Sequence, residues 1–115
     1  MSDESKKELS LRYLPFKGKK DEWGMWSAKF MSKARKKKYH EILTGATIVE
    51  FKNESNKTAD ERPKEELNGE TYNDLIMSME DKVAFNKVNQ AKSKILKNGC
   101  ARTAWTNLMN KYKPK

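Results

Sequence analysis

FKGKKDEWGMWSAKFMSKARKKKYHEILTG, residues 16–45, is the stretch on which the fold turns. Trp23, Trp26, Phe30 and Ala34 stand at i, i+3, i+7 and i+11, which places them on one stripe of an amphipathic helix. Asp21 is the expected N-cap, and Glu22 suits the positive end of the helix dipole. The spacing predicts a helix from Asp21 to Lys37, about 25 Å long at about 1.5 Å per residue. Lys29, Lys33, Lys36 and Lys37 fall largely off the apolar stripe. Burying one such aromatic ring removes about 150–250 Å² from water, worth on the order of 4–6 kcal/mol as an upper bound. Three of them can anchor a small domain. Tyr39, Ile42 and Leu43 predict a short second helix that stops near Gly45.

Upstream, residues 1–10 are mostly Ser, Lys and acidic side chains and read as a loose arm. Leu11, Tyr13, Leu14 and Phe16 form an apolar cluster without helical spacing, cut by Pro15. They predict an extended segment laid on the core, turning at Lys17-Gly18. Downstream the periodicity fades, and residues 46–70 read as one long polar loop in which Pro63 could open a short helical turn. Tyr72, Leu75, Ile76 and Met79 restore helical spacing, with a cap expected near Thr71. Asp81 is the expected cap of the following helix, whose stripe is Phe85, Val88, Ala91 and Ile95 and whose end is Asn98-Gly99. A last helix begins near Ala101, carries Ala104, Trp105, Leu108, Met109 and Tyr112 on one face, and stops at Pro114. The fold class is therefore all-α: a compact bundle of about five helices over residues 11–115. Its expected core is Trp23, Trp26, Phe30, Leu75, Phe85, Val88, Trp105, Leu108 and Tyr112.

The 115-residue chain is 36% hydrophobic and 36% charged, with a net charge of +9. Mean hydropathy is −1.03, low for a globular domain, yet the 10% aromatic content exceeds what a disordered chain usually carries. Residues 1–45 hold twelve basic and six acidic groups, residues 46–80 four and nine, and residues 81–115 nine and one. An acidic middle thus divides two basic ends, a pattern that can steer nucleic acid or set copies of the chain against one another. No run approaches the ~18–20 apolar residues of a membrane span, and MSDESKKELS has no apolar core of a secretory signal. Cys100 and His40 are each the only residue of their type. That excludes an internal disulfide, fits a reducing, cytoplasmic setting, and is too few ligands for a zinc site, which takes about four.

Lys33, Arg35, Lys36, Lys37 and Lys38 make the sharpest chemical signal. They read as a contact for nucleic-acid phosphates, as a nuclear-entry patch, or as the solvated, dipole-complementing end of a helix. Trp23, Trp26 and Trp105 could stack nucleobases, but each lies on the apolar stripe of its helix, which favours the core. Met77, Met79 and Met109 read as core fillers or contact surface. There is no glycine-rich phosphate loop, nucleophile elbow or metal-ligand cluster, so neither an enzyme, a cofactor nor a small-molecule substrate is expected.

Taken in order, Leu14-Pro15-Phe16-x-Gly18, Trp23-x-x-Trp26, Lys29-Phe30 and Tyr39-x-x-Ile42-Leu43-x-Gly45 resemble the N-terminal region of copia-type retrotransposon Gag polyproteins. The second half adds Tyr72-Asn73-Asp74-Leu75-Ile76-x-Ser78, then Ala84-Phe85-x-x-Val88-x-x-Ala91-Lys92, then Ala104-Trp105-x-x-Leu108-x-x-Lys111-Tyr112-x-Pro114. The resemblance covers roughly Leu14 to Pro114. It implies a capsid-like helical lobe that self-associates into the shell of a virus-like particle enclosing the element's RNA. The expected partners are then other copies of the chain and, without sequence preference, RNA. Trp23 lies five residues after Gly18, whereas the family often carries its aromatic three residues after that glycine. The family also continues into a second helical lobe and often a Cys/His zinc knuckle beyond the point where this sequence stops.

Overall fold

The computed structural model describes residues 14–49, 54–92 and 99–113. The expectations for residues 1–10, for Leu11 and Tyr13, for Ile95 and Asn98, and for Pro114 lie outside these residues. Within them are five α-helices: α1 (Lys20–Lys36), α2 (His40–Thr44), α3 (Glu61–Ser78), α4 (Lys82–Asn89) and α5 (Ala101–Tyr112). A single 3-10 turn, Glu54–Asn56, precedes α3. The molecule is an all-α bundle, with α4 and α5 as its most extensive helix pair.

The core is built on the aromatic stripe of α1. Trp23, Trp26 and Phe30 are buried together with Phe16, Trp105 and Tyr112. The rings of Phe16 and Tyr112 meet edge-on at 4.8 Å, and Trp26 and Phe30 stack at 5.1 Å. Both geometries suit the ring quadrupole. Leu75, Val88 and Leu108 close the centre at 0% exposure. The expected extended segment is present at Phe16. Its N–H donates to the Ser78 carbonyl (2.8 Å), and its own carbonyl accepts from the Glu80 N–H (3.0 Å). This short parallel bridge to the end of α3 is joined by the Trp26 indole N–H, which donates to the Leu14 carbonyl at 2.8 Å. The segment is thereby fixed across the aromatic cluster.

Three expectations are corrected. First, Phe85 is 40% exposed, while Ala84 and Val88 are fully buried. The inward face of α4 is Ala84 and Val88, continued by Ala91 just past the helix end; Val88 and Ala91 are buried as expected, and Ala84 takes the inward place expected of Phe85. A step of one residue turns a side chain about 100° round the helix, so Phe85 lies on a flank. Second, Asp21 is not the N-cap of α1. Lys19 holds that position without a side-chain cap bond, and the helix starts a residue earlier. Third, residues 61–70 are not loop but the first half of α3, and Thr71 lies in mid-helix, donating to the Leu67 carbonyl at 2.7 Å.

Helix α3 has Asp60 at its N-cap, without a side-chain cap bond. The Thr58 N–H donates to the Glu61 carboxylate at 3.1 Å, a satisfied donor at the entry to the helix. Pro63 then falls in the first turn, where its missing N–H removes no helix bond. By contrast, the expected cap at Asp81 is present, accepting from the Ala84 N–H at 3.0 Å. Gly45 ends α2 in the left-handed region at φ 86°.

Candidate functional site

The basic block at 33–38 straddles the end of α1, and its side chains do not act as one patch. Lys33 is only 2% exposed. It stands on the inner flank of the helix, its ammonium 5.6 Å from the centre of the Phe30 ring. Lys33 is therefore not an outward nucleic-acid contact, as its sequence position suggested. Counted from the buried pair Phe30 and Ala34, it falls on the inward side of the stripe rather than behind it. Burial lowers its pKa from the ordinary value, with Asp74 partly opposing that shift.

Lys37 reaches across to α3. Its ammonium donates to Asp74 at 2.7 Å and pairs with Glu70 at 2.8 Å. Partial burial alone would lower its pKa, but the hydrogen bonds to Asp74 and Glu70 outweigh that effect and raise it. The same Asp74 oxygen accepts from the Tyr39 hydroxyl at 2.7 Å. Tyr39 is fully buried, and burial, then Asp74, pushes its phenol well above the usual range. Asp74 thus clamps the α1–α2 junction to α3. Arg35, Lys36, Lys37 and Lys38 are exposed, Lys37 being paired at the surface with α3, so of the five candidate contacts only Lys33 is buried. Asp74 was legible only as one letter of the Tyr72-Asn73-Asp74-Leu75 run. Nothing in the sequence pairs it with Tyr39 or Lys37.

The tryptophans offer no open stacking face: Trp23, Trp26 and Trp105 are 3%, 5% and 6% exposed. Met79 is buried and Met109 half-buried, but Met77 is 76% exposed and fills no core. A cleft of about 290 Å³ beside α2 is lined by Ile42, Ile48, Val49, Asn68, Cys100 and Arg102 among others. Its polar groups are already engaged in the fold. The Asn68 amide donates to the Gly99 carbonyl and accepts from the Ala101 N–H, both at 2.9 Å, while Arg102 donates to the Thr44 carbonyl at 2.8 Å. Asn68 thereby pins the entry to α5, and Arg102 holds the end of α2. Cys100 is half-buried, and the Nδ1 of His40 is buried with no hydrogen-bond partner. Among the described residues no group of three His, Cys, Asp or Glu side chains is placed to hold a metal ion, and no helix is long and apolar enough to cross a membrane. No protein-family model, no curated protein and no solved structure matches the chain.

Proposed function

We propose that this chain is a structural self-association module of the kind its resemblance implies, a capsid-like lobe of copia-type Gag whose copies build a shell around RNA. One observation carries the physical side of this reading. The aromatic core is closed, yet Met25, Ile48, Met77, Val83 and Phe85 stand 62%, 74%, 76%, 48% and 40% exposed. They sit on α1, the segment after α2, the end of α3 and both flanks of α4. Exposed apolar side chains on separate elements leave more than one face open to contact with other copies. The helical bundle and the order of motifs from Leu14 to Pro114 support the same reading, and catalysis forms no part of it.

Size-exclusion chromatography with light scattering, followed by negative-stain microscopy, tests the proposal. Mass should rise with concentration into defined particles. A monomer at every concentration up to several hundred micromolar would sink it. Nucleic-acid binding through the 33–38 block is the weaker reading, because Lys33 is buried and Lys37 is held by Glu70 and Asp74.

A further inference from the structure

From Lys82 to Lys115 the sequence holds nine cations and no acidic side chain. Asp81, the last acid, is already engaged within the fold: it caps α4 through the Ala84 N–H and hydrogen-bonds the Tyr112 side chain. The two helices that follow therefore present positive charge that no residue of their own segment can offset. Between them lies a groove of about 260 Å³, lined by Lys87 and Gln90 at the end of α4 and by Asn107, Asn110 and Lys111 on α5. The lining is two ammonium groups and three primary amides, with no carboxylate. Asn107 is fixed across the groove, its amide donating to the Lys87 carbonyl at 3.1 Å.

We propose that this α4–α5 groove binds the phosphodiester backbone of a nucleic-acid strand. Ammonium groups and amide N–H donors are the chemistry that holds non-bridging phosphate oxygens while leaving the bases unread. A lone phosphate could match the two ammonium groups of the groove, but the segment carries seven further cations, and a strand supplies negative charge at regular intervals beyond the groove. The acidic sector of a second copy fits less well. Glu70 and Asp74 are held by Lys37 and Glu65 by Lys57, so three of that sector's nine acids are already paired inside their own chain. The site is separate from the 33–38 block and does not depend on assembly.

Fluorescence anisotropy with a labelled single-stranded oligouridylate, over a range of potassium chloride, tests the inference. Lys87→Glu with Lys111→Glu should weaken binding roughly tenfold or more at low salt. The slope of log affinity on log salt should flatten by about 1.4, at about 0.7 for each phosphate of a single strand that is no longer neutralised. A control of equal charge change, Lys29→Glu with Lys36→Glu on α1, should weaken it by much less. Equal effects in the two variants would reduce the result to general charge, and unchanged binding in the first would exclude the groove; either overturns the proposal. Lys87→Gln with Lys111→Gln, checked by circular dichroism, is read by the same criterion if the double reversal fails to fold. Inorganic phosphate competing as well as the strand at equal phosphate would reassign the groove to free anions. Abolished self-association in nucleic-acid-free protein, with RNA binding intact, would reassign it to a surface between copies. Assembly failing while the groove still binds RNA would sink only the preceding reading.

Discussion

Asp74 shows how one side chain can turn a run of surface charge into structure. It accepts from both Lys37 and the buried Tyr39 hydroxyl. Asp74→Ala leaves that buried hydroxyl without its acceptor, which should cost about 1–3 kcal/mol in urea unfolding. Glu70→Gln removes only a pair between side chains 35% and 48% exposed, and should change stability by less than about 1 kcal/mol. Equal effects would mean that the clamp is general charge rather than a buried acceptor. Buried phenols, with Lys37, set the alkaline limit of the fold. Tyr39, Tyr72 and Tyr112 all have phenols raised above 10.0, chiefly by burial, and Lys37 is raised above 10.5. The folded state thus keeps protons that the unfolded chain releases. Their stabilisation is whole below about pH 10 and is lost as pH climbs through the folded-state values. Lys33 has the opposite sign: lowered in the fold, it opposes folding at neutral pH, and that penalty fades as pH approaches 10.5. The urea midpoint should therefore hold or rise slightly toward pH 10 and fall beyond it. Lys33→Met, which replaces a buried ammonium by a chain of similar length, should be neutral or stabilising at pH 7 and abolish the rise. A midpoint that falls steadily from pH 8 would contradict this assignment.

At the scale of elements, the contrast between two phenylalanines tests the phase of each helix. Phe30 is fully buried on α1 and stacks between Trp26 and Trp105; Phe30→Ala should cost about 3–5 kcal/mol. Phe85, expected in the same core, is 40% exposed on a flank of α4. Phe85→Ala should therefore cost no more than about 1 kcal/mol, and a cost as large as that of Phe30 would restore the core assignment. The helices read most directly from sequence, α1, α2, the second half of α3 and α5, are those whose inward faces carry large apolar side chains. On α4 Val88 and Ala91 were placed correctly, and only Phe85 was misplaced, because the residue that turns inward beside it, Ala84, is much smaller. The first half of α3 was hidden for a related reason. Its inward face carries Asn68 and Thr71, which are buried by hydrogen bonding to Gly99, Ala101 and Leu67 and leave no apolar period to detect. Pro63, suited to a first helical turn, was the signal available there. The basic block was legible as charge, but sequence could not show that Lys33 turns inward over Phe30 or that Lys37 has two carboxylates across the groove to α3. Those facts belong to tertiary packing.

For the whole molecule, salt separates the two ways in which copies could meet. A chain of net charge +9 repels its own copies, and the repulsion is screened within about 10 Å at 0.1 M salt. If basic ends met the acidic 46–80 sector of a neighbour, added salt would weaken association. That sector is instead partly neutralised from within, by Lys37 on Glu70 and Asp74 and by Lys57 on Glu65, while the exposed apolar side chains have no partner charge to lose. Apolar contact is strengthened by screening of like charge and by excluded salts such as sulfate. Nucleic acid at the α4–α5 groove would act as a counter-charge of another kind, replacing salt at low ionic strength. Light scattering should therefore show assembly of the RNA-free chain increasing from low to high salt, and assembly at low salt only when oligouridylate is added. RNA affinity itself should fall over the same range. Met77→Ser with Phe85→Ser should suppress the salt-driven assembly without lowering RNA affinity, because neither side chain lines the groove. Assembly that weakens with salt in the absence of RNA would return the contact to charge pairing between copies and remove the apolar side chains from it.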